Sequence, residues 1–308
     1  MPVFLWYLQE SNQGHTDFQS VALPTELRYL QKPFAKAGAN IISKLGYTNK
    51  NLKKGNGFFS ILHLCTMNLV IDIGNTLIKY AVFENNKILF DEYSESGLFL
   101  SKVKELFELY PKIGHSLISS VGALQGKEQD IVSLFCRVHV LTSESKVPFK
   151  NSYATPQTLG MDRIAVATAA FYLNPRGNTL VIDAGTCITY DMVNDSGEYV
   201  GGAISPGVQM RYKAMHNQTA GLPLLRPDEI LDFIGNSTET CIHSGVVNGV
   251  TLEIDGVISQ YRSRFQDLTV ILTGGDSHFF ANRLKNTIFA NSKFLLEGLN
   301  YLLEYNKR

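Results

Sequence analysis

The chain has 308 residues, 44% of them hydrophobic, which is enough to form two packed domains. Lys plus Arg and Asp plus Glu each number 28, so the formal charge is zero and no overall field favours nucleic acid or an anionic membrane as a partner. No segment approaches the roughly 20 apolar residues of a membrane span. The four cysteines, Cys65, Cys136, Cys187 and Cys241, lack paired spacing, which indicates neither a zinc site nor a disulfide framework and favours a reducing, cytoplasmic location.

Residues 1–66 differ from the rest of the chain, because they contain neither sustained alternation nor a helical stripe of apolar residues. Met67, by contrast, is followed at once by a strand pattern. Codons that encode residues 22–27, ALPTEL, can be read on the opposite strand as the D-arm of a transfer RNA gene. We therefore expect 1–66 to be an unstructured or artefactual extension, upstream DNA translated by mistake before a start at Met67. The alternative is a genuine flexible tail.

The segment after Met67 predicts a three-stranded meander followed by alternating helices and strands. Alternating apolar residues indicate the three strands, and turn residues such as Asn85 and Asn86 separate them. Apolar residues at helical spacing then alternate with short apolar runs, which predicts helices between further strands. The predicted strands are 68–73, 77–83, 87–92, 115–121 and 137–141, and the predicted helices lie around 98–109, 130–135 and 164–172.

The second half of the chain repeats the plan of the first. After a linker at 174–178, a strand runs into the turn Asp183, Ala184, Gly185 and Thr186, and two more strands follow. IDIGNTLIKY at 71–80 matches IDAGTCITYD at 182–191, which indicates an internal duplication. The later predicted elements are strands 179–182, 188–193 and 199–204, a long helix 239–261 with Ser237 or Thr238 as N-cap, and a buried strand 270–272. This duplication predicts two domains, 67–177 and 178–308.

The two Asp-x-Gly turns suggest a nucleotide site. A carboxylate at the end of a strand can hold a cation while the backbone N–H groups of a Gly/Thr turn face phosphate oxygens. Either turn alone is weak evidence for a nucleotide site, since Asp-x-Gly turns also join strands in purely structural roles. Two turns in equivalent positions, with Thr273, Gly274 and Gly275 after a third strand, predict that three glycine turns converge on one nucleotide.

Four motifs then point to one family: 72–79 (DIGNTLIK), 153–163 (YATPQTLGMDR), 183–191 (DAGTCITYD) and 201–207 (GGAISPG). Occurring together over the chain from Met67, they resemble the type III pantothenate kinases of the acetate and sugar kinase, heat-shock ATPase and actin superfamily. The resemblance implies an α/β fold of two ribonuclease-H-like, actin-like ATPase domains in tandem. It also implies ATP-dependent phosphorylation of pantothenate to 4′-phosphopantothenate, the first step of coenzyme A biosynthesis, by a homodimer.

The same resemblance implies roles for particular residues. Asp162 is expected to be the catalytic base, Asp183 to hold a monovalent cation (K⁺ or NH₄⁺) and Asp72 to approach Mg²⁺. The residues expected to contact pantothenate are Tyr153, Gly160, Met161, Asp162, Arg163 and Thr238. Those expected to contact ATP are Asp72, Ile73, Gly74, Asn75, Thr76, Leu77, Ile78, Lys79 and Thr186.

Simpler interpretations exist for several of these residues. Lys79 alone would be a solvated strand lysine, Asp162 a residue favoured near the positive end of a helix, and Thr238 a helix cap. Cys187 stands where the family usually has a small residue, and we expect it to be a buried filler. A kinase of the same superfamily with another small hydroxylated substrate, and a non-catalytic kinase-like regulator, are the alternative functions. The motif at 153–163 argues against the first, and the presence of the three aspartates argues against the second.

Overall fold

The computed structural model of the chain describes residues 67–74, 77–120, 127–228 and 232–307. The expected extension, 1–66, lies outside the described residues. Two β-sheets organise the described part, and each begins with an antiparallel meander.

The first sheet has five strands in the order β3-β2-β1-β4-β5. Strands β1, β2 and β3 are antiparallel neighbours, while β4 is parallel to β1 and β5 is parallel to β4. The β2–β3 turn contains Asn85 and Asn86, both at positive φ (51° and 62°), a conformation that Asn tolerates in tight hairpins. The strands are β1 Met67–Ile73, β2 Ile78–Glu84, β3 Lys87–Ser94, β4 Ile113–Ser120 and β5 Arg137–Val140.

The second sheet has six strands in the order β11-β10-β7-β8-β9-β6. Strands β7, β8 and β9 form the antiparallel meander, and β10 pairs parallel with β7 on its other side. The strands are β6 Lys150–Asn151, β7 Thr179–Ala184, β8 Cys187–Val193, β9 Glu198–Pro206, β10 Thr269–Thr273 and β11 Phe289–Ala290.

Both sheets therefore contain one arrangement, in which a meander of three strands is continued by two parallel strands beside its first strand. This repeated order confirms the expected fold class, two ribonuclease-H-like sheets in tandem. The domain boundary between 177 and 178 stays a prediction.

The helices include one predicted segment that is less regular than expected. The predicted helix 239–261 begins at Thr238, passes through a π-helical segment, Ser244–Asn248, and ends at Arg264. Ser237 is its N-cap, since its hydroxyl accepts a hydrogen bond from the Thr240 backbone N–H at 3.2 Å, so Thr238 is not the cap. The α-helices are α1 Phe99–Leu109, α2 Lys127–Ser133, α3 Met161–Leu173, α4 Val208–Gln218, α5 Thr238–His243, α6 Gly249–Arg264, α7 Ser277–Ala281 and α8 Phe294–Asn306.

Helix α3 is central to the core. It packs against β7 and β8 of the second sheet, touches β4 of the first, and lies along α8, which in turn contacts β1 and β4. Helices α3 and α8 approach so closely at Gly298 that a Cβ there would lie 2.0 Å from the carbonyl oxygen of Ala165. This packing fixes the N-terminus of α3, which carries Asp162 and Arg163. Within the described part of the chain, none of the helices has the length and apolar composition that a membrane crossing requires.

Candidate active site

The first glycine turn follows β1 and places a buried carboxylate. Asp72 is 4% exposed, and its Oδ2 lies 3.4 Å from Nζ of Lys79, the residue paired with it across β1 and β2. The backbone N–H of Gly74 donates to the carbonyl oxygen of Leu77 at 3.1 Å and closes the turn. Asn75 and Thr76, both predicted to contact ATP, lie outside the described residues.

The second and third glycine turns touch each other. Strands β7 and β10 are neighbours with Asp183 opposite Thr273, so both strands end at the same edge of the sheet. Gly274 has φ of +92°, and a Cβ there would lie 2.4 Å from Asp183 Oδ1. The backbone N–H of Asp276 donates to the Ala184 carbonyl at 2.9 Å. A glycine at 274 therefore lets the third turn approach the carboxylate of the second.

The predicted ATP-contacting residues differ in exposure. Thr186 is exposed at the tip of the second turn, Leu77 is 42% exposed and Lys79 is partly buried, whereas Ile78 is in the core. Gly207 packs against this turn, where its N–H donates to the Thr186 carbonyl at 3.2 Å.

The charges at this edge are unbalanced. Burial raises the pKa of Asp183 to about 6; Lys79 counteracts the shift, and the carboxylates of Asp162, Asp191 and Asp72 increase it. Burial also raises the pKa of Asp72, and the Lys79 ammonium partly offsets that effect. Among the described residues, no hydrogen-bond partner reaches Asp72 Oδ1, although this atom is buried. A buried Asp72 oxygen that has no hydrogen-bond partner among the described residues suits a bound cation.

The head of α3 forms the other side of the site. Gly160 occupies the N-cap position in an extended conformation, and Met161 begins the helix. Asp162 lies in the first turn, where its Oδ1 accepts a hydrogen bond from the Arg163 backbone N–H at 2.9 Å. Asp162 is partly exposed, so a substrate hydroxyl can reach it.

Arg163 is buried, at 5% exposure, within a slot of aromatic rings. Its Nε lies 2.7 Å from Asp191 Oδ1, and its guanidinium carbon lies 5.7 Å from the ring centre of Tyr153 and 6.0 Å from that of Tyr199. Tyr153 is partly buried, and its backbone N–H donates to Asn151 Oδ1 at 3.0 Å. The structure thus brings Tyr153 and Arg163 together, next to Asp162.

Thr238 occupies a separate cleft. It is exposed, and no hydrogen bond, ion pair or ring contact among the described residues links it to Tyr153 or Arg163. The cleft beside it has a volume of about 750 Å³ and is lined by Met215, Leu222, Gly235, Asn236, Ser237, Thr238, Cys241, Ile242 and Gly245.

Two features of the site were not anticipated. Thr273 Oγ1 is buried beside Asp183 and has no hydrogen-bond partner among the described residues, although the residue opens the predicted glycine turn. Asp191, the last residue of the DAGTCITYD motif, is completely buried and paired with Arg163, which leaves it no access to a substrate proton.

Cys187 was expected to be a buried filler, but the structure shows it partly exposed.

Comparison with known proteins gives a consistent set of relatives. The sequence model of the family described as type III pantothenate kinase matches residues 68–260. A protein of Christiangramia forsetii named type III pantothenate kinase is 49% identical over 241 residues, which cover 78% of this chain and 99% of the relative. One of Flavobacterium johnsoniae with the same name is 48% identical over 239 residues, covering 78% and 98%. A solved structure from Campylobacter jejuni, assigned to the Baf family of transcriptional activators, matches in fold with a TM-score of 0.53 and 23% identity, covering 78% of this chain and 98% of the other.

Proposed function

The chain belongs to the type III pantothenate kinase family, and we propose that it transfers the γ-phosphoryl group of ATP to the primary hydroxyl of pantothenate, the first step of coenzyme A biosynthesis. The observation that carries this proposal is the head of α3, where the partly exposed Asp162 accepts a hydrogen bond from the backbone N–H of Arg163, and where the Arg163 guanidinium is buried and paired with Asp191. Pantothenate has a hydroxyl at one end and a carboxylate at the other, so a kinase for it needs both an acceptor for a hydroxyl proton and a cation.

Asp162 is the proposed catalytic base. Its carboxylate is held by the Arg163 backbone N–H, remains partly exposed, and can accept or orient the proton of the attacking hydroxyl. Because transition states of phosphoryl transfer are loose, alignment of the hydroxyl contributes more than its deprotonation. Asp162 therefore acts chiefly by aligning the nucleophile.

Arg163 is proposed to bind the substrate carboxylate. Asp191 occupies its Nε, so the terminal nitrogens of the guanidinium can offer parallel N–H donors to a second carboxylate. Tyr153 lies beside the Arg163 guanidinium, and Gly160 and Met161 lie at the head of the same helix, so these residues are proposed to contact pantothenate as well. A contact from Thr238 is proposed on the family resemblance alone, because Thr238 lies in a separate cleft.

The glycine turns are proposed to bind ATP. Lys79 would supply positive charge and the exposed Thr186 a hydroxyl donor for phosphate oxygens at these turns. Mg²⁺, when bound, neutralises charge on the β- and γ-phosphates, and Asp72 with its unpartnered Oδ1 is the residue that would hold it.

Asp183 is proposed to hold the monovalent cation. The carboxylates of Asp162, Asp191 and Asp72 each raise the pKa of Asp183, and an ion of single charge would keep Asp183 ionised. We further propose a cytoplasmic homodimer with the active site near its interface. Phe233 and Ile234, exposed by 65% and 77% close in sequence to Thr238, support such an interface.

A rate assay that couples ADP release to a signal tests the proposed substrate. With ATP, Mg²⁺ and K⁺ present, pantothenate should stimulate ADP release, while acetate and hexoses at equal concentration should not. Stimulation by a hexose or acetate instead would assign the chain another substrate within the superfamily. Nucleotide binding without any acceptor-dependent turnover would favour a regulator.

A further inference from the structure

We propose that Asp191, held by Tyr199 and Thr189, is a positioning residue that sets the orientation of the Arg163 guanidinium toward the substrate carboxylate. The inference rests on the proposed role of Arg163 in binding that carboxylate. It gives a function to the buried aspartate at the end of the DAGTCITYD motif, which touches neither of the proposed substrates itself.

Both oxygens of Asp191 are held by hydrogen bonds. Oδ1 accepts from Arg163 Nε at 2.7 Å and from the Tyr199 hydroxyl at 2.8 Å, and Oδ2 accepts from the Thr189 hydroxyl at 2.8 Å. Asp191 and Tyr199 are both 0% exposed. A carboxylate bonded on both oxygens in the core cannot rotate freely, so its direction is transmitted to the guanidinium.

The ion pair uses only one of the three nitrogens of Arg163. A carboxylate that paired with the guanidinium as a fork would occupy two nitrogens, but Asp191 binds through Nε alone. Nη2 lies at the long distance of 3.5 Å from the Tyr190 carbonyl, and no acceptor among the described residues bonds Nη1. The two terminal nitrogens, which together could bind a second carboxylate, therefore still have N–H donors available.

The aromatic rings restrict the remaining freedom of the guanidinium. Tyr153 and Tyr199 stand 6.2 Å apart, centre to centre, and both lie within reach of a cation–π contact with Arg163. Gly201 has φ of +99°, and a Cβ there would come within 3.3 Å of Cδ2 of Tyr153, so glycine leaves room for that ring. Of the two tyrosines, Tyr153 is the more exposed and stands on the solvent side of the slot.

A buried ion pair alone is weak grounds for a functional role, because it can be merely structural. Here the geometry also shows which nitrogens of the guanidinium are held by Asp191 and which remain for a ligand. The held nitrogen is Nε, the donors left over are the terminal ones, and Arg163 directly follows the proposed catalytic base in the same helical turn. The arrangement fits a guanidinium aimed at a substrate.

The test compares three variants with a matched control. Tyr199→Phe and Thr189→Val each remove one hydroxyl that holds Asp191 while keeping both charges of the ion pair. Asp191→Asn removes the counter-charge of a buried guanidinium and therefore also destabilises the fold, so the two gentler variants decide the matter. Tyr190→Phe is the control, because the Tyr190 side chain is also buried but its hydroxyl donates to Glu253, at 3.2 Å, on the opposite face of β8.

Two readouts separate positioning from general damage. The first is the KM for pantothenate against kcat: we expect Tyr199→Phe and Thr189→Val to raise KM by about 3- to 20-fold with kcat within about 2-fold, and Tyr190→Phe to change neither. The same variants should show no KM change for an analogue that lacks the carboxylate. The second is the ¹⁵N–¹H resonance of Arg163 Nε, identified by its loss in Arg163→Lys, which should move toward the position of solvated arginines in Tyr199→Phe and Thr189→Val but not in Tyr190→Phe.

Other outcomes overturn the inference. Equal losses with pantothenate and the analogue, or a fall in kcat without a change in KM, would make the network purely structural. An unmoved Nε resonance in Tyr199→Phe would show that Asp191 does not depend on Tyr199 to hold Arg163. Failure of the proposed substrate role is distinguishable, because then Arg163→Lys itself would leave the KM for pantothenate unchanged while the resonance still reported on Asp191.

Discussion

Replacing Arg163 by lysine tests how the carboxylate of pantothenate is recognised. Lysine keeps the positive charge beside Asp191, but it presents one ammonium where arginine presents Nε to Asp191 and its terminal nitrogens to a substrate. A single ammonium attracted to the buried Asp191 is drawn away from the substrate. The variant should therefore lose at least one charge-assisted hydrogen bond to pantothenate.

A charge-assisted hydrogen bond contributes about 1.5–3 kcal/mol. At about 1.4 kcal/mol for each factor of ten, Arg163→Lys should raise the KM for pantothenate by about 10- to 150-fold. The KM for ATP should stay within about 2-fold, because the glycine turns are unchanged. Arg163→Met is the more severe comparison, since it leaves Asp191 buried without a counter-charge and should cost about 3–5 kcal/mol of unfolding free energy.

Initial rates over a range of pantothenate concentrations at saturating ATP measure the effect, and thermal unfolding monitors the fold. A carboxylate-free analogue should be a poor substrate of the unmodified protein and lose little more with Arg163→Lys, because the contact is already absent. Full additivity of the two changes would refute the assignment and place Arg163 on the transferring phosphate.

Three further predictions concern the base, the cation and the packing of α3. Asp162→Asn should lower kcat by roughly 10²-fold or more with ATP binding retained, and near-normal turnover would remove this residue as the base. Activity should require K⁺ or NH₄⁺, and Asp183→Asn should alter that requirement; equal rates in Na⁺ alone would contradict the cation site. Gly298→Ala forces a Cβ to within 2.0 Å of the Ala165 carbonyl oxygen, so it should cost about 1–3 kcal/mol and lower Tm by about 2–4 °C per kcal/mol in a calorimetric scan. An unchanged Tm would mean that the two helices separate at no cost.

The strands and their turns were the most predictable part of the fold. Period-2 alternation and turn residues such as Asn85 and Asn86 identified both meanders, and the repeat of IDIGNTLIKY in IDAGTCITYD predicted that the sheets share one plan. Helix α8 was not predicted, because its sequence is apolar around most of its surface. Eight of its positions between Phe294 and Leu303 are buried, and they form no narrow stripe. The π-helical segment Ser244–Asn248 likewise has no periodic signal.

The sequence motifs predicted which residues belong to the candidate site, but not which of those residues contact each other. The DIGNTLIK and DAGTCITYD turns located Asp72 and Asp183, and the structure places both in one electrostatic cluster with Asp162. The pairing of Arg163 with Asp191 joins residues from a helix and a strand that are 28 positions apart. Nothing in the spacing of the two residues indicates such a contact, since it depends on how α3 packs against β8. The roles of the site residues stay predictions until the variants are measured.

If this chain phosphorylates pantothenate with Asp162 as its base, the phosphorylated product must form and its formation must depend on that carboxylate. The most direct measurement is mass spectrometry of the products after incubation with ATP, Mg²⁺, K⁺ and pantothenate, with the Asp162→Asn variant in parallel. We expect 4′-phosphopantothenate and an equal amount of ADP from the unmodified protein, and little of either from the variant. ADP without phosphopantothenate, or equal product from both proteins, would contradict it.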